Sequence, residues 1–192
     1  MTRALTVARL LDLLRDTLQL ELIGDGGGLD RVISVNEVSS PGLVLAGFVE
    51  RFPAKRMQVF GETEITYLQS LSEARRREVL ETFFSFDVPC AVVTKRMDVP
   101  DDLRTIAAAH GVPVLRSSLK TTEFYRRVKP ALDEEFAPST TLHGSLADVY
   151  GVGLLFVGRS GIGKSECVLD LVERGHRLVA DDIVIATRRG ND

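Results

Sequence analysis

The chain has 192 residues, of which 44% are hydrophobic and 27% are charged. This balance is typical of a folded protein and excludes a disordered chain, which has fewer apolar residues and a larger net charge. The net charge is −3, and residues 1–136 and 137–192 each carry slightly more acidic than basic groups. Because nucleic-acid-binding domains are usually basic, we expect no nucleic acid among the partners.

Membrane and secretory segments are also not expected. No uninterrupted apolar run exceeds four residues, far below the roughly 20 that span a bilayer, and the first residues lack the apolar segment of a signal peptide. The two cysteines, Cys90 and Cys167, give neither a zinc-site spacing nor a disulfide framework. The sequence therefore predicts a cytoplasmic protein with two reduced thiols.

The first third of the chain begins with a helix and a glycine-rich turn. Leucines repeat at helical spacing between residues 10 and 18, and Thr6 is placed to cap this helix. The glycines of residues 24–28 resemble a phosphate-binding loop, but no lysine follows them, so they are interpreted as a turn. Residues 31–38 are then predicted to form one strand.

From residue 57 to residue 135 the pattern alternates between predicted strands and predicted helices. Strands are predicted at residues 57–60, 89–94 and 112–116, and helices at residues 72–86, 100–110 and 121–135. Such alternation predicts a small α/β domain with a mainly parallel sheet. We place its end at residue 136, with residues 137–141 as a turn-rich bridge to a second domain, residues 137–192.

The motif with clear chemistry is a complete phosphate-binding loop, G-x-x-x-x-G-K-[ST]. Its eight positions are Gly158, Arg159, Ser160, Gly161, Ile162, Gly163, Lys164 and Ser165. In such a loop the glycines let backbone N–H groups approach phosphate oxygens, the lysine reaches the β- and γ-phosphates, and the Ser165 hydroxyl can ligate Mg²⁺. A purely structural glycine turn is the alternative, and for Arg159 a solvated side chain and a phosphate contact both stay open.

The neighbouring segments supply the strand–loop–helix context that this motif needs. Residues 153–157 are predicted to form a buried strand, and residues 166–174 a helix that ends before Gly175. Residues 177–180 are predicted to form a strand running parallel to the first, so that its end lies at the same sheet edge as the loop. Asp181 and Asp182 follow it, where one carboxylate can serve Mg²⁺ and the other accept a proton, unless both are turn residues.

Two further residues are less informative by themselves. His143 on its own is an ordinary histidine rather than a catalytic one, and Cys167, near the start of the predicted helix, is expected to be a small core residue. The basic clusters at residues 75–77 and 126–127 lie among glutamates and are expected to be solvated helix faces.

Several stretches together resemble the HPr kinase/phosphorylase family, bacterial enzymes that phosphorylate a serine of the phosphocarrier HPr. They are His143-Gly144, residues 148–151, the phosphate-binding loop followed by Glu166, and residues 174–182. Residues 35–47, 111–116 and 139–142 resemble stretches of the same family, so that the resemblance extends over nearly the whole chain.

The resemblance implies both a fold and an activity. The second domain is then the start of a PEP carboxykinase-like P-loop kinase domain, residues 158–165 bind ATP, and Ser165 is a magnesium ligand. His143, Lys164 and Asp182 become catalytic, with Asp182 accepting the proton of the HPr serine, or of inorganic phosphate in the reverse reaction that yields pyrophosphate. A hexamer and a role in carbon catabolite repression are implied in the same way.

Two departures from the family pattern limit this expectation. Arg159 stands where many relatives have an acidic residue. The family's kinase domain is expected to continue beyond Asp192, with a second magnesium-binding carboxylate and a catalytic arginine. We therefore expect a truncated kinase domain with little or no activity. The alternatives are a non-enzymatic regulatory or oligomerisation module and a generic P-loop ATPase.

Overall fold

The structure is a computed structural model that describes residues 5–188. These residues fall into two units, one ending at Phe136 and the other beginning at Ala137, and each is described by itself. The elements of the first unit are β1 (Leu5–Thr6), α1 (Val7–Leu18), β2 (Leu20–Ile23), β3 (Val32–Ile33), β4 (Val38–Ser39), α2 (Gly42–Leu45), β5 (Met57–Phe60), α3 (Glu62–Ser70), α4 (Glu73–Phe84), β6 (Ala91–Val93), α5 (Asp101–Ala109), β7 (Val114–Ser117) and α6 (Thr121–Glu135).

The first unit is built on a five-stranded sheet in the order β2-β7-β6-β5-β4. The pairs β4–β5, β5–β6 and β6–β7 are parallel, while β2 pairs antiparallel with β7 at one edge. The predicted α/β class with a mainly parallel sheet is thus confirmed. A separate two-stranded ladder joins β1 and β3.

Both faces of this sheet are buried, as expected for parallel strands covered by helices. Phe60 and Val93 belong to a core that α2, α3, α4 and α5 cover, whereas Val59 and Val92 face α1 and α6. The alternation follows from the strand period of two, which sends successive side chains to opposite faces. Cys90 lies in the second core, and burial raises the pKa of its thiol to about 12.

The two residues predicted to cap helices, Thr6 and Ser72, do so in the structure. The Thr6 hydroxyl accepts a hydrogen bond from the Arg9 amide at 3.2 Å, and the Ser72 hydroxyl accepts one from the Arg75 amide at 3.4 Å. Each bond satisfies one of the amides that the first turn of a helix leaves without an intrahelical acceptor. Arg75, Arg77, Arg126 and Arg127 lie on exposed helix faces as predicted, whereas Arg76 is half-buried and pairs with Asp102 of α5.

One predicted strand of the first unit was wrong. Residues 31–38 do not form a single strand, because β3 pairs with β1 in one sheet and β4 pairs with β5 in another. The chain leaves the first ladder and joins the second over residues 34–37, which belong to neither. Strand β2 and helix α3 were not predicted.

The second unit contains β8 (Ser139–Val149), β9 (Val152–Val157), α7 (Lys164–Glu173), β10 (Arg177–Ala180) and β11 (Ile183–Thr187). The three other strands all pair antiparallel with β8. Strands β9 and β10 therefore run in the same direction, as predicted, but β8 lies between them. A two-residue turn with left-handed backbone at both Tyr150 and Gly151 joins β8 to β9.

Three expectations for the second unit were wrong. Residues 139–141 are not part of a bridge, since they pair with Ile185–Thr187 as the start of β8. The predicted buried strand is largely exposed, with Val152 60% and Val157 63% exposed. Cys167 is likewise exposed rather than part of a core.

Within the part of the chain that the structure describes, no helix has the length and apolar character needed to cross a bilayer.

Candidate functional site

The phosphate-binding motif occupies the connection between the end of β9 and the first turn of α7. Gly161 and Gly163 adopt left-handed backbone with φ of 78° and 95°. At Gly163 a Cβ atom would lie 2.9 Å from Glu166 Oε2, so that only glycine fits without displacement of that side chain. The loop therefore leads directly into the helix start, where free amide groups favour an anion.

The two cationic side chains of the loop differ in exposure, Arg159 being exposed and Lys164 half-buried. The Lys164 ammonium group donates a hydrogen bond to the Arg159 carbonyl oxygen at 3.0 Å and so lies along the loop. Within residues 5–188 the Arg159 guanidinium group has no ion-pair partner. Both positive charges are thus available to phosphate oxygens without breaking an ion pair.

Asp181 follows β10 directly, and its side chain contacts the phosphate-binding loop through a hydrogen bond. Its Oδ1 atom accepts hydrogen bonds from the hydroxyl of Ser145 at 2.5 Å and from the hydroxyl of Ser165 at 3.4 Å. The Ser145 hydrogen bond is the main cause that lowers the pKa of the Asp181 carboxyl group below its ordinary value. The Asp182 backbone N–H, the Ser165 hydroxyl and the Lys164 charge add to this lowering and outweigh the opposing effect of desolvation.

His143 and Asp182 lie on neighbouring strand segments. The Gly144 amide donates a hydrogen bond to the Asp182 carbonyl oxygen at 3.1 Å, and His143 is paired in register with Ile183. Asp182 has left-handed backbone, with φ of 67°, at the interruption between β10 and β11. Among the described residues, however, no hydrogen bond joins the side chains of His143, Lys164 and Asp182.

Ser145 was missed by the sequence analysis. In a regular strand, residues two positions apart share a face, so His143 and Ser145 lie on the same face of β8. The signal was hidden because residues 142–149 had not been predicted as a strand. The polar residues that converge near the loop are thus Ser145, Ser165 and Asp181, with His143 on the same strand face as Ser145.

The donor set at this point suits a hard cation. A hydroxyl oxygen and carboxylate oxygens are the ligands that Mg²⁺ prefers, and Mg²⁺ commonly retains water and phosphate oxygens in the rest of its shell. No group of three or more His, Cys, Asp or Glu side chains in residues 5–188 is arranged to hold a metal ion. A cation bound here would accordingly depend on nucleotide phosphates, with Ser165 and Asp181 as the protein's contribution.

Glycine is also required where β8 and β9 approach each other. A Cβ atom built on Gly144 would lie 2.4 Å from the Phe156 backbone carbonyl oxygen, which is far inside contact distance. This close approach holds the end of β9 beside the segment that contains His143 and Ser145.

Comparison with known proteins identifies two family models along the chain. Residues 5–132 match the model described as HPr Serine kinase N terminus, and residues 134–192 match the model described as HPr Serine kinase C-terminal domain. Together these matches extend over nearly all of the chain.

Two similar proteins are both described as HPr kinase/phosphorylase. The chain is 44% identical over 179 residues to HPr kinase/phosphorylase from Shouchella clausii (strain KSM-K16), a match that covers 93% of this chain and 58% of that relative. It is 44% identical over 174 residues to HPr kinase/phosphorylase from Bacillus cereus (strain B4264), covering 91% of this chain and 56% of the relative. The chain thus spans little more than half the length of these relatives.

One solved structure also matches, the CBS and DRTGG domains of the regulatory region of Clostridium perfringens pyrophosphatase complexed with the activator diadenosine tetraphosphate. The match has a TM-score of 0.45 and 15% identity, and it covers 64% of this chain and 47% of the other.

Proposed function

This chain belongs to the HPr serine kinase family, and from that premise we propose that its second unit binds ATP for phosphorylation of a serine of HPr. The observation that best supports this is the contact between Asp181 and Ser165. It links the carboxylate after β10 to the hydroxyl that follows the loop lysine, which is the arrangement that P-loop enzymes use around Mg²⁺.

Each residue of the site has a proposed role. Lys164 exchanges its bond to the Arg159 carbonyl oxygen for phosphate oxygens, and the loop amides bind the same anion. Ser165 and Asp181 hold Mg²⁺, which when bound neutralises phosphate charge. Asp182 accepts the proton of the attacking serine hydroxyl. His143, which lies on the adjoining strand β8, assists the phosphoryl transfer.

The same residues would serve the reverse reaction. There inorganic phosphate attacks the phosphoserine, its oxygen forms a bond to the phosphorus, and the bond between phosphorus and the serine oxygen breaks. Asp182 accepts the proton of the attacking phosphate and passes it to the departing serine oxygen, and pyrophosphate is the second product. Because one carboxylate serves both directions, the proposal requires positioning and charge stabilisation rather than a covalent intermediate.

We extend the proposal to the organisation of the protein. Residues 1–136 act as a regulatory or assembly domain of a hexamer, residues 137–192 belong to the kinase domain, and the protein acts in the cytoplasm in carbon catabolite repression. The relatives are much longer than the matched region. We expect this chain to bind nucleotide.

Calorimetric titration with ATP and Mg²⁺ tests the proposal. Saturable binding is expected for the wild-type chain, and Lys164→Ala should weaken it by a factor of ten or more, because the lysine charge contacts the phosphates. Lys129→Ala is the matched control, since that lysine pairs with Asp133 on α6 in the first unit. A folded wild-type chain that binds no ATP, or equal loss in both variants, would overturn the proposal.

A second candidate is a non-enzymatic assembly module. The contrast between the two units favours this candidate. The sheet of the first unit has a buried core on both faces, whereas several apolar residues of β9 and β11 in the second unit are exposed and can be covered by an assembly partner. Sedimentation with and without HPr separates the two proposals, because a module acting only in assembly would form oligomers without binding HPr.

A further inference from the structure

Ser145 is a buried polar residue whose hydroxyl has a charged partner. It lies in β8 opposite Phe156 of β9, and only 1% of its surface is exposed. Its hydroxyl donates to Asp181 Oδ1 at 2.5 Å, the length expected for a hydrogen bond from a hydroxyl to a carboxylate. Asp181 itself is exposed, so the bond anchors a solvent-facing carboxylate to the sheet interior.

The same carboxylate oxygen also accepts a hydrogen bond from the Ser165 hydroxyl, with an oxygen–oxygen distance of 3.4 Å. The shorter bond to Ser145 is the stronger of the two, since hydrogen-bond energy falls with distance. Ser145 is fixed by the strand pairing of β8, whereas Ser165 lies in the first turn of α7 after a glycine-rich loop. The geometry therefore makes Ser145 the residue that sets where the carboxylate is held.

We propose that Ser145 is a positioning residue that holds the Asp181 carboxylate where it accepts a hydrogen bond from the Ser165 hydroxyl. The oxygen lone pairs of Ser165 are then directed away from Asp181 and toward the cation of a magnesium–nucleotide complex. This proposal rests on the proposed function of the loop, and it adds a residue of β8 to the machinery. Ser145 touches neither nucleotide nor reacting atoms, and it acts through Asp181.

The test compares nucleotide affinity with and without magnesium. For Ser145→Ala we expect the gain in ATP affinity on adding Mg²⁺ to fall by about tenfold, the effect of losing one hydrogen bond to a charged group. Affinity in the presence of a chelator should stay unchanged. A merely structural role would lower both affinities together, and that result would overturn the proposal.

Two further variants control for damage to the fold. Ser117→Ala removes another buried serine hydroxyl, which donates to the Leu18 carbonyl oxygen at 2.5 Å in the first unit, and it should leave the magnesium effect unchanged. Ser145→Thr retains the hydroxyl and should restore most of the effect. Equal behaviour of the two alanine variants would contradict the proposal.

A second measurement does not require nucleotide. Three-bond couplings measured by NMR report the χ1 rotamer populations of Asp181 in the ligand-free chain. We expect one dominant rotamer in the wild type and averaged rotamers in Ser145→Ala, and an unchanged single rotamer would overturn the proposal. If the wild-type chain binds no ATP, the proposed function fails, and the rotamer populations still decide whether Ser145 positions Asp181.

Discussion

At the scale of single residues, two glycines in neighbouring strands differ sharply in their surroundings. A Cβ atom on Gly144 would lie 2.4 Å from the Phe156 carbonyl oxygen, whereas the nearest atom to a Cβ on Gly153 is a Leu146 methyl carbon at 3.6 Å. A backbone oxygen within a strand pair cannot move aside as a side chain can. The Gly144 contact thus restricts this position to glycine.

We predict that Gly144→Ala lowers the free energy of unfolding of the second unit by about 2–3 kcal/mol, as forced overpacking does. Gly153→Ala should change it by less than about 0.5 kcal/mol, which is usual for an exposed position. Amide hydrogen exchange of β8 and β9 in the two variants measures the difference. Similar protection in both would show that the strand pair separates to admit a methyl group.

Ser145 illustrates a limit of prediction from sequence at this scale. The loop from Gly158 to Ser165 is recognisable because its chemistry depends on residues that are adjacent in the chain. The bond between Ser145 and Asp181 joins residues that are distant in sequence and becomes visible only when β8 and β10 are paired. A lone serine has no pattern that distinguishes it from any other small residue in a strand.

At the scale of elements, strands and helices with an internal signal were predictable. Helix α6 was predicted with the bounds that the structure gives it because its apolar residues have helical spacing, and β5 was predicted likewise as a short, mostly apolar segment. Strand β8 was not predicted, since its first residues Ser139, Thr140 and Thr141 have the composition of a turn. Pairing with β11 determines their conformation, and that pairing depends on residues 185–187, which lie 44 to 48 positions further along the chain.

The helix after the loop shows the same limit in another form. Apolar residues at helical spacing are expected to face a core, yet in α7 Val168 is buried while Leu169 is 58% exposed. Periodicity identifies which residues share a helix face, but it does not establish that another layer covers that face. The predicted strand β9 was placed correctly and its burial was wrong for this reason.

At the scale of the whole molecule, the two units differ in how completely their apolar residues are covered. The sheet of the first unit has a core on both faces. In the second unit Val157, Ile183 and Ile185 are each more than half exposed. Apolar burial is the main favourable term in folding, so the stability of the two units should differ in the same direction.

We therefore predict unequal hydrogen exchange in the native chain. Amides in β5, β6 and β7 should exchange most slowly, through global opening of the first unit, while those in β9 and β10 should exchange faster through local opening of the second. Mass spectrometry of peptides from both units measures this directly. Equal protection of the two sets of strands would mean that the chain unfolds as one cooperative body.

The short turn at Tyr150 and Gly151 has a consequence for the time course of folding. It makes β8 and β9 a local hairpin, which can close in about 1–10 μs. Strand β10 pairs with β8 more slowly, because the loop and α7 separate it from the hairpin in the chain. We expect pulsed labelling during refolding to detect protection in β8 and β9 before β10. His143 and Ser145 would then be in place first, and the arrival of Asp181 would be the last event in assembling the site.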